Sequence, residues 1–229
     1  MILLPDPGAG RLLWQLAYQD LSPADTEALT NHYQTCRGPF RGFTFIDPTD
    51  NMFVSSSDLT NTAWGKSESV QVESGQADPV NGTGGFALTN TGETDAYFTQ
   101  TLPVPASYAY TLSLYLQSAG ASIVKLIRGG PSEQQITTVS VGPQWTRVLS
   151  SGALNDYGTS LSAGIILSAG QQVSAFGLQL EAQPSPSQYR ATAQTGGVYT
   201  EAHWSANEFV VVATGNELFS TTFGIDTAI

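Results

Sequence analysis

Apolar and polar positions alternate along most of this chain. In Arg11–Asp20, Leu12, Trp14, Leu16 and Tyr18 share one parity, which predicts a strand. Leu21-Ser22-Pro23-Ala24-Asp25 then has the form of a helix start. Ser22 caps, Pro23 takes the first helical position, and Asp25 lies in the first turn, where the helix dipole favours an acid. The helix is expected to run to about Cys36, with Ala28, Leu29, His32, Tyr33 and Cys36 on one stripe, and Arg37-Gly38-Pro39 ends it. Phe43 and Phe45 alternate in a second strand, stopped by Asp47-Pro48.

From 49 to 183 the pattern predicts strands only. Eight are expected after an entry segment: 85–90, 94–102, 108–117, 122–128, 134–141, 145–151, 160–168 and 172–181. Turn residues separate them at the spacing of an all-β sandwich. Tyr108, Tyr110, Leu112, Leu114 and Leu116 make one apolar face, and Phe176, Leu178 and Leu180 another. Pro184-Ser185-Pro186-Ser187 reads as a short stiff linker. Val198–Trp204, Glu208–Ala213 and Leu218–Ile225 follow as three strands.

Neither end is long enough to fold alone. The economical reading is that 1–48 and 184–229 fold together as a small α+β domain (strand, helix, strand, then C-terminal strands). A jelly-roll-type β-sandwich at 49–183 is then an insertion into it. The fold class is mainly β.

Composition supports that class and removes several functions. Only 12% of the residues are charged, so the surface is built from Ser, Thr, Gln, Asn and Gly, which suits short strands and tight turns. The net charge of −11 leaves no basic footprint for nucleic acid and disfavours an anionic membrane surface. A single cysteine, Cys36, excludes an intrachain disulfide, and two histidines without a Cys/His cluster argue against a structural zinc. No cofactor or metal is expected. The stretch Met1–Trp14 lacks the basic start and the long apolar run of a signal peptide, and no segment reaches the length of a membrane span. The expectation is a chain made in a cytoplasm that reaches the exterior by lysis or as part of a particle.

Few residues invite catalysis. Asp25 and Glu27 are explained by the helix start. His32 and Cys36 are neighbours one helical turn apart, but no third orienting group accompanies them. His203 has no companion acid, and Gly82-Thr-Gly-Gly lacks the lysine and the helix of a phosphate loop. The protein is expected not to be an enzyme.

Several segments resemble known families. Arg11-Leu-Leu-Trp-Gln-Leu, Ser22-Pro-Ala-Asp-Thr-Glu-Ala-Leu and Gly38-Pro-Phe-Arg-Gly-Phe-Thr-Phe-Ile-Asp-Pro, taken in order, resemble the start of phage minor-tail and distal-tail-like proteins. Gly197-Val-Tyr through Phe219-Ser-Thr-Thr-Phe resembles their closing strands. The run from Asn51-Met-Phe-Val-Ser-Ser-Ser-Asp-Leu to Trp64 resembles the opening of carbohydrate-binding-like sandwiches in tail and fibre proteins. Trp145-Thr-Arg, Phe176-Gly-Leu-Gln-Leu-Glu-Ala and Tyr189-Arg-Ala-Thr resemble the late strands and exit of that module. The resemblance implies a structural subunit of a phage or phage-like tail (tip, baseplate or distal tail). Such a subunit would self-assemble, co-assemble with other tail proteins, and bear a module for host surface polysaccharide. The alternative is a free-standing lectin-like protein. A glycan-degrading enzyme is a third and weaker reading.

Glycan sites set aromatic faces against sugar rings and amides against hydroxyls. Off the core parity stand Tyr97, Tyr115, Lys125 and Gln179, which form a candidate surface if their strands share a sheet. Trp14, Tyr18, Phe43, Phe45, Trp204 and Phe209 are the candidate assembly interface of the terminal domain, beside their role in its core. Trp64 and Trp145 are assigned to packing.

Overall fold

A computed structural model describes residues 11–205, 209–215 and 217–228. The stretch 1–10, discussed above as a non-signal N-terminus, and Glu208, placed above at a strand start, lie outside the described residues.

The two chain ends make one unit, Met1–Phe45 with Tyr199–Ile229, and 46–198 makes another. In the terminal unit, β1 (Arg11–Leu21) leads into α1 (Pro23–Thr35), a 3-10 turn at Gly38–Phe40 and β2 (Phe43–Ile46). The Ser22 hydroxyl accepts from the Asp25 amide at 3.2 Å, and the Asp25 carboxylate accepts from the Ser22 amide at 3.2 Å, so the helix start is a reciprocal capping box. Leu29, Tyr33 and Cys36 turn to the core, Ala28 stays exposed, and His32 lays one side of its ring on Phe43 and Trp204 while the rest meets solvent, so the buried stripe is narrower than the pattern predicts. β13 (Val198–Trp204), β14 (Val210–Gly215) and β15 (Leu218–Ala228) complete the unit. β15 is central: it pairs antiparallel with β1 from Phe219–Leu21 to Ala228–Arg11, and also with β13 and β14.

In the second unit the period-two faces close on one another. Its strands are β3 (Gly65–Lys66), β4 (Val70–Gln76), β5 (Gly85–Asn90), β6 (Ala96–Leu102), β7 (Tyr110–Gln117), β8 (Ser122–Gly129), β9 (Gln134–Val141), β10 (Thr146–Gly152), β11 (Leu161–Leu167) and β12 (Gln172–Glu181). They form two antiparallel sheets, β10-β7-β12-β5-β4 and β3-β6-β11-β8-β9. Within these, β5-β12-β7-β10 and β6-β11-β8-β9 are the two four-stranded halves of a jelly roll, with β4 and β3 added at the edges. The core between the sheets holds Phe53, Trp64, Phe98, Tyr110, Leu112, Leu114, Leu126, Ile165 and Leu180. Arg128 is fully buried there, and its guanidinium donates to Ser150 Oγ, the Gly152 carbonyl and Gln135 Oε1, so it ties β8 to β9 and β10. Burial without a carboxylate among those acceptors pulls its pKa down.

Three readings of the sequence are corrected. Tyr108 is 55% exposed and precedes β7, so it leaves the apolar face assigned to it. Phe176 does not share the core with Leu178 and Leu180: the register against β7 shifts between Phe176 and Gln179, and Gly177 there has φ +66°. This bulge turns Phe176 outward. The segment 184–198 belongs to the sandwich unit, and Pro184–Ser187 is a strap held to it rather than a linker. Glu181, almost fully buried, accepts from Ser187 N at 3.1 Å and from Gln183 Nε2 at 2.6 Å; Ser151 Oγ donates to the Pro184 carbonyl.

The module's entry and exit are fastened together. The Asn51 amide, wholly buried, donates to the Leu178 and Arg190 carbonyls and accepts from the Phe53 and Leu180 amides. Asp47 N donates to the Gly197 carbonyl at 2.9 Å, and Gly197 N to the Asn51 carbonyl at 2.8 Å. Ser56 and Thr192 bond each other, and Trp64 Nε1 donates to the Ser55 carbonyl. The two segments that resemble the opening and exit of a carbohydrate-binding-like module thus form one stem.

Candidate functional site

The outer face of the sheet β10-β7-β12-β5-β4 carries a cleft of about 620 Å³. Its floor follows from strand register: Ala87 of β5, Ser174 of β12 and Gln117 of β7 stand side by side. Its walls are the β7–β8 loop Ser118–Ser122, Pro143, Gln171–Val173 and Gln76. Among the described residues the lining thus holds four glutamines and three serines, and no charged side chain. In a chain of net charge −11 that is a local exception.

The polar groups of this cleft are positioned by their own bonds. Gln117 Nε2 donates to the Pro143 carbonyl at 2.7 Å. Gln171 accepts from Ser168 N and donates to Ser122 Oγ and the Ile123 carbonyl, each at 2.8 Å. Ser118 N donates to the Gly142 carbonyl, which fixes the loop. Side chains held this way lose little further freedom when a ligand arrives.

One register step from the floor, Phe176 pairs with Tyr115, and Tyr115 with Arg147. The Tyr115 and Phe176 rings lie 6.1 Å apart, Tyr189 of the strap packs edge-on to Phe176 at 5.3 Å, and the Arg147 guanidinium sits 5.5 Å from the Tyr115 ring centre. All four are half-buried. Amides and hydroxyls therefore adjoin a short aromatic row, the pairing that a sugar's hydroxyls and its C–H face require.

The four residues singled out from sequence do not share a surface. Tyr115 stands beside the cleft. Gln179 is on the same sheet but wholly buried under the strap, where its Oε1 accepts from Arg190 N at 2.7 Å. Tyr97, 43% exposed, lies on β6, and Lys125 on β8, both in the other sheet. There each flanks Ile166, and Lys125 Nζ is held by Asp95 at 2.5 Å. Parity told outward from inward correctly for Tyr97 and Tyr115; it carries no information on which strands pair. Phe176 and the glutamine cluster were missed. The glycine at 177 inside a strand was the available sign of a bulge.

In the terminal unit, Trp204 is buried with Phe43 and Phe209 against it, and Trp14 and Phe45 pack on Tyr199 of the same cluster. Trp204 lies 4.7 Å from Phe223, and Phe45 5.4 Å from Trp14, ring centre to ring centre. Of the six interface candidates these five are therefore core residues of their own unit, and Tyr18 is the one left 45% exposed. Trp64 is buried in the sandwich, and Trp145 half-buried.

The residues weighed above for catalysis are held as follows. Cys36 Sγ and His32 Nε2 are 3.8 Å apart, and the His32 ring packs edge-on against Phe43. Burial lowers the His32 pKa and so favours the neutral ring. The His203 ring nitrogen Nδ1 lies 3.0 Å from the Pro39 carbonyl. Asp78 accepts from the amides of Val80, Gly82 and Gly84, which accounts for the glycine-rich loop. Asp156 likewise accepts from Ser132, Glu133 and Gly158. Among the described residues, no group of three His, Cys, Asp or Glu side chains is placed to hold a metal ion, and no helix is long and apolar enough to cross a membrane.

No family model matches the sequence, and no curated protein is similar to it. Solved structures are similar over part of the chain. The chain is similar to the enzymatically active domain of tailspike protein 4 of bacteriophage CBA120, with 13% identity and a TM-score of 0.48, over 60% of this chain and 22% of that one. A xylan-binding domain of carbohydrate-binding-module family 22 is similar at 12% identity and a TM-score of 0.48, over 62% of this chain and 100% of that one. A family 61 module in complex with β-1,4-galactotriose is similar at 13% identity and a TM-score of 0.42, over 58% and 99% of the two chains.

Proposed function

We propose that the sandwich unit binds an uncharged polysaccharide in the glutamine-lined cleft. The observation that carries this reading is the lining itself: amides and hydroxyls on a charge-free floor, next to Tyr115 and Phe176. An amide both donates and accepts, which suits vicinal hydroxyls. The role in this proposal is binding: the lining supplies amides and hydroxyls, and Glu73, opposite Ala87 on β4, is a single carboxylate where glycoside hydrolysis ordinarily employs two. Affinity per site is modest, since an open, wet cleft gives up well-formed water contacts.

The whole chain is, in this proposal, a structural subunit of a phage-type tail that carries the sandwich as an adhesion module for host polysaccharide. Support comes from the order of the tail-like segments and from a terminal unit to which the cleft owes none of its lining residues. That independence equally suits a free-standing lectin. Electron microscopy of particles carrying the chain separates the two: ordered copies in the tail support the subunit, and particles without them leave the lectin.

Affinity electrophoresis of the full chain against neutral polysaccharides, with anionic ones as controls, tests the cleft. Retardation by a neutral polymer is expected, and Gln117→Ala together with Tyr115→Ala should weaken it by about tenfold or more. Retardation by none of the neutral polymers overturns the reading, as does binding that survives both substitutions.

A further inference from the structure

One carboxylate stands at the open side of the cleft. On β5, Phe86 and Leu88 turn into the core, so Gly85 and Ala87 face outward, with side chains too small to rise above the sheet. β4 borders them at the edge of the sheet. Its Val70 and Val72 pack inward, and Gln71 and Glu73 point outward. Period two would then turn Gln76 inward as well. A bulge prevents this: the register slips between Ser74 and Gln76, Gly75 takes φ +82°, and Gln76 comes to stand opposite Gly85. Gln76 thereby lines the cleft, and Glu73, opposite Ala87 of the floor, stands on the same face.

Glu73 is exposed, and among the described residues no hydrogen bond or ion pair engages its carboxylate. Lys66 donates instead to the Val70 carbonyl at the start of β4. Arg147 lies on β10, four strands away. At the usual strand spacing that is roughly 19 Å, against a screening length of about 8 Å at physiological salt. The β4 end of the cleft therefore carries a local negative charge that no cation offsets.

We propose that Glu73 is a specificity-determining residue of the cleft: it accepts from the hydroxyls of a neutral sugar unit at the β4 edge and turns away a unit that carries a carboxylate there. This inference rests on the cleft being a glycan site. An ionised carboxylate only accepts, and its two oxygens can take two neighbouring hydroxyls in charge-assisted bonds. The amides of Gln76 and Gln117 cannot discriminate in this way, because each can turn a donor toward an acid. Two like charges about 4 Å apart in water repel enough to change affinity about fivefold.

Affinity electrophoresis of the full chain tests this with two probes: the neutral polymer that the native chain retains, and the same polymer with part of its primary alcohols oxidised to carboxylates. At low salt the native chain should bind the oxidised form at least about fivefold more weakly, and Glu73→Gln should bring the two forms to within about twofold. Glu73→Lys should prefer the oxidised form. Glu27→Gln removes the same charge from an exposed helix position in the other unit, and should discriminate as the native chain does. In 1 M salt, where the screening length falls to about 3 Å, the native difference should shrink. Discrimination that persists in Glu73→Gln and Glu73→Lys overturns the inference and leaves the cleft as a glycan site. Equal loss of discrimination in Glu27→Gln assigns it to net charge and also overturns the inference. Retardation by no neutral polymer removes both readings.

Discussion

Phe176 faces Tyr115 across neighbouring strands, 6.1 Å between ring centres, only because Gly177 takes a backbone conformation with φ +66°. Without the bulge, period two would place Phe176 in the core with Leu178. A Cβ at 177 would also come within 3.2 Å of the Tyr189 ring and 3.4 Å of Tyr115. Gly177→Ala is therefore expected to destabilise the fold by roughly 1–2 kcal/mol through left-handed strain and crowding. Calorimetry should show a melting temperature lower by several degrees, and polysaccharide affinity should fall with it as the aromatic row is disturbed.

Tyr97→Ala and Lys125→Ala should leave polysaccharide retardation unchanged, because both residues stand on the sheet opposite the cleft. Loss of binding in either variant would move the site to that other face.

Asn51→Ala should be among the most damaging single changes in the sandwich. It removes four hydrogen bonds from a wholly buried amide and orphans the Leu178 and Arg190 carbonyls together with the Phe53 and Leu180 amides. Buried polar groups left without partners cost about 1–3 kcal/mol each, so a loss of at least ~3 kcal/mol is expected in urea unfolding. Asn51→Asp retains acceptors but not the amide donors, and should recover only part of that loss.

The pH dependence of stability should trace in part to Asp78 and Asp156. Backbone amides hold both carboxyls below the ordinary value of 3.8, with Gly82 the leading donor for Asp78 and Ser132 for Asp156. A carboxyl whose folded pKa is depressed adds stability that is fully present above the unfolded value and is lost as pH falls through the folded one. Urea midpoints of the native chain should therefore decline below about pH 4, near the unfolded carboxylate value. Those of the double variant Asp78→Asn, Asp156→Asn should start lower and decline less. Parallel curves for the two proteins would show that these loops do not contribute.

Strand positions were legible because burial on one face writes itself into the sequence at period two: β5, β9, β12 and β13 begin and end where the alternation does. The helix start was legible because Ser22, Pro23 and Asp25 each answer a local need. What escaped were polar residues that sit inside. Gln100 and Asn51 are buried yet serve backbone segments distant in sequence, and Gln179 and Glu181 are buried because they hold the strap; the strand pattern announces neither. β4, Val-Gln-Val-Glu-Ser-Gly-Gln, packs through Val70 and Val72 alone, too brief a pattern to stand out. The candidate glycan surface was half right for the same reason: which way Tyr97 and Tyr115 point is a local property, whereas their assignment to opposite sheets is set by long-range pairing.

The stem at Asp47, Asn51 and Gly197 bears on the order in which the chain folds. β2 and β13 are separated by roughly 150 residues, and closing a loop of that length costs about 4 kcal/mol of chain entropy. Once the jelly roll has formed, the stem holds the two ends of that loop together, so the terminal strands meet as if joined by a short turn. Folding of the terminal unit is then led by the sandwich, and a lesion such as Asn51→Ala that opens the stem slows assembly of strands it never touches.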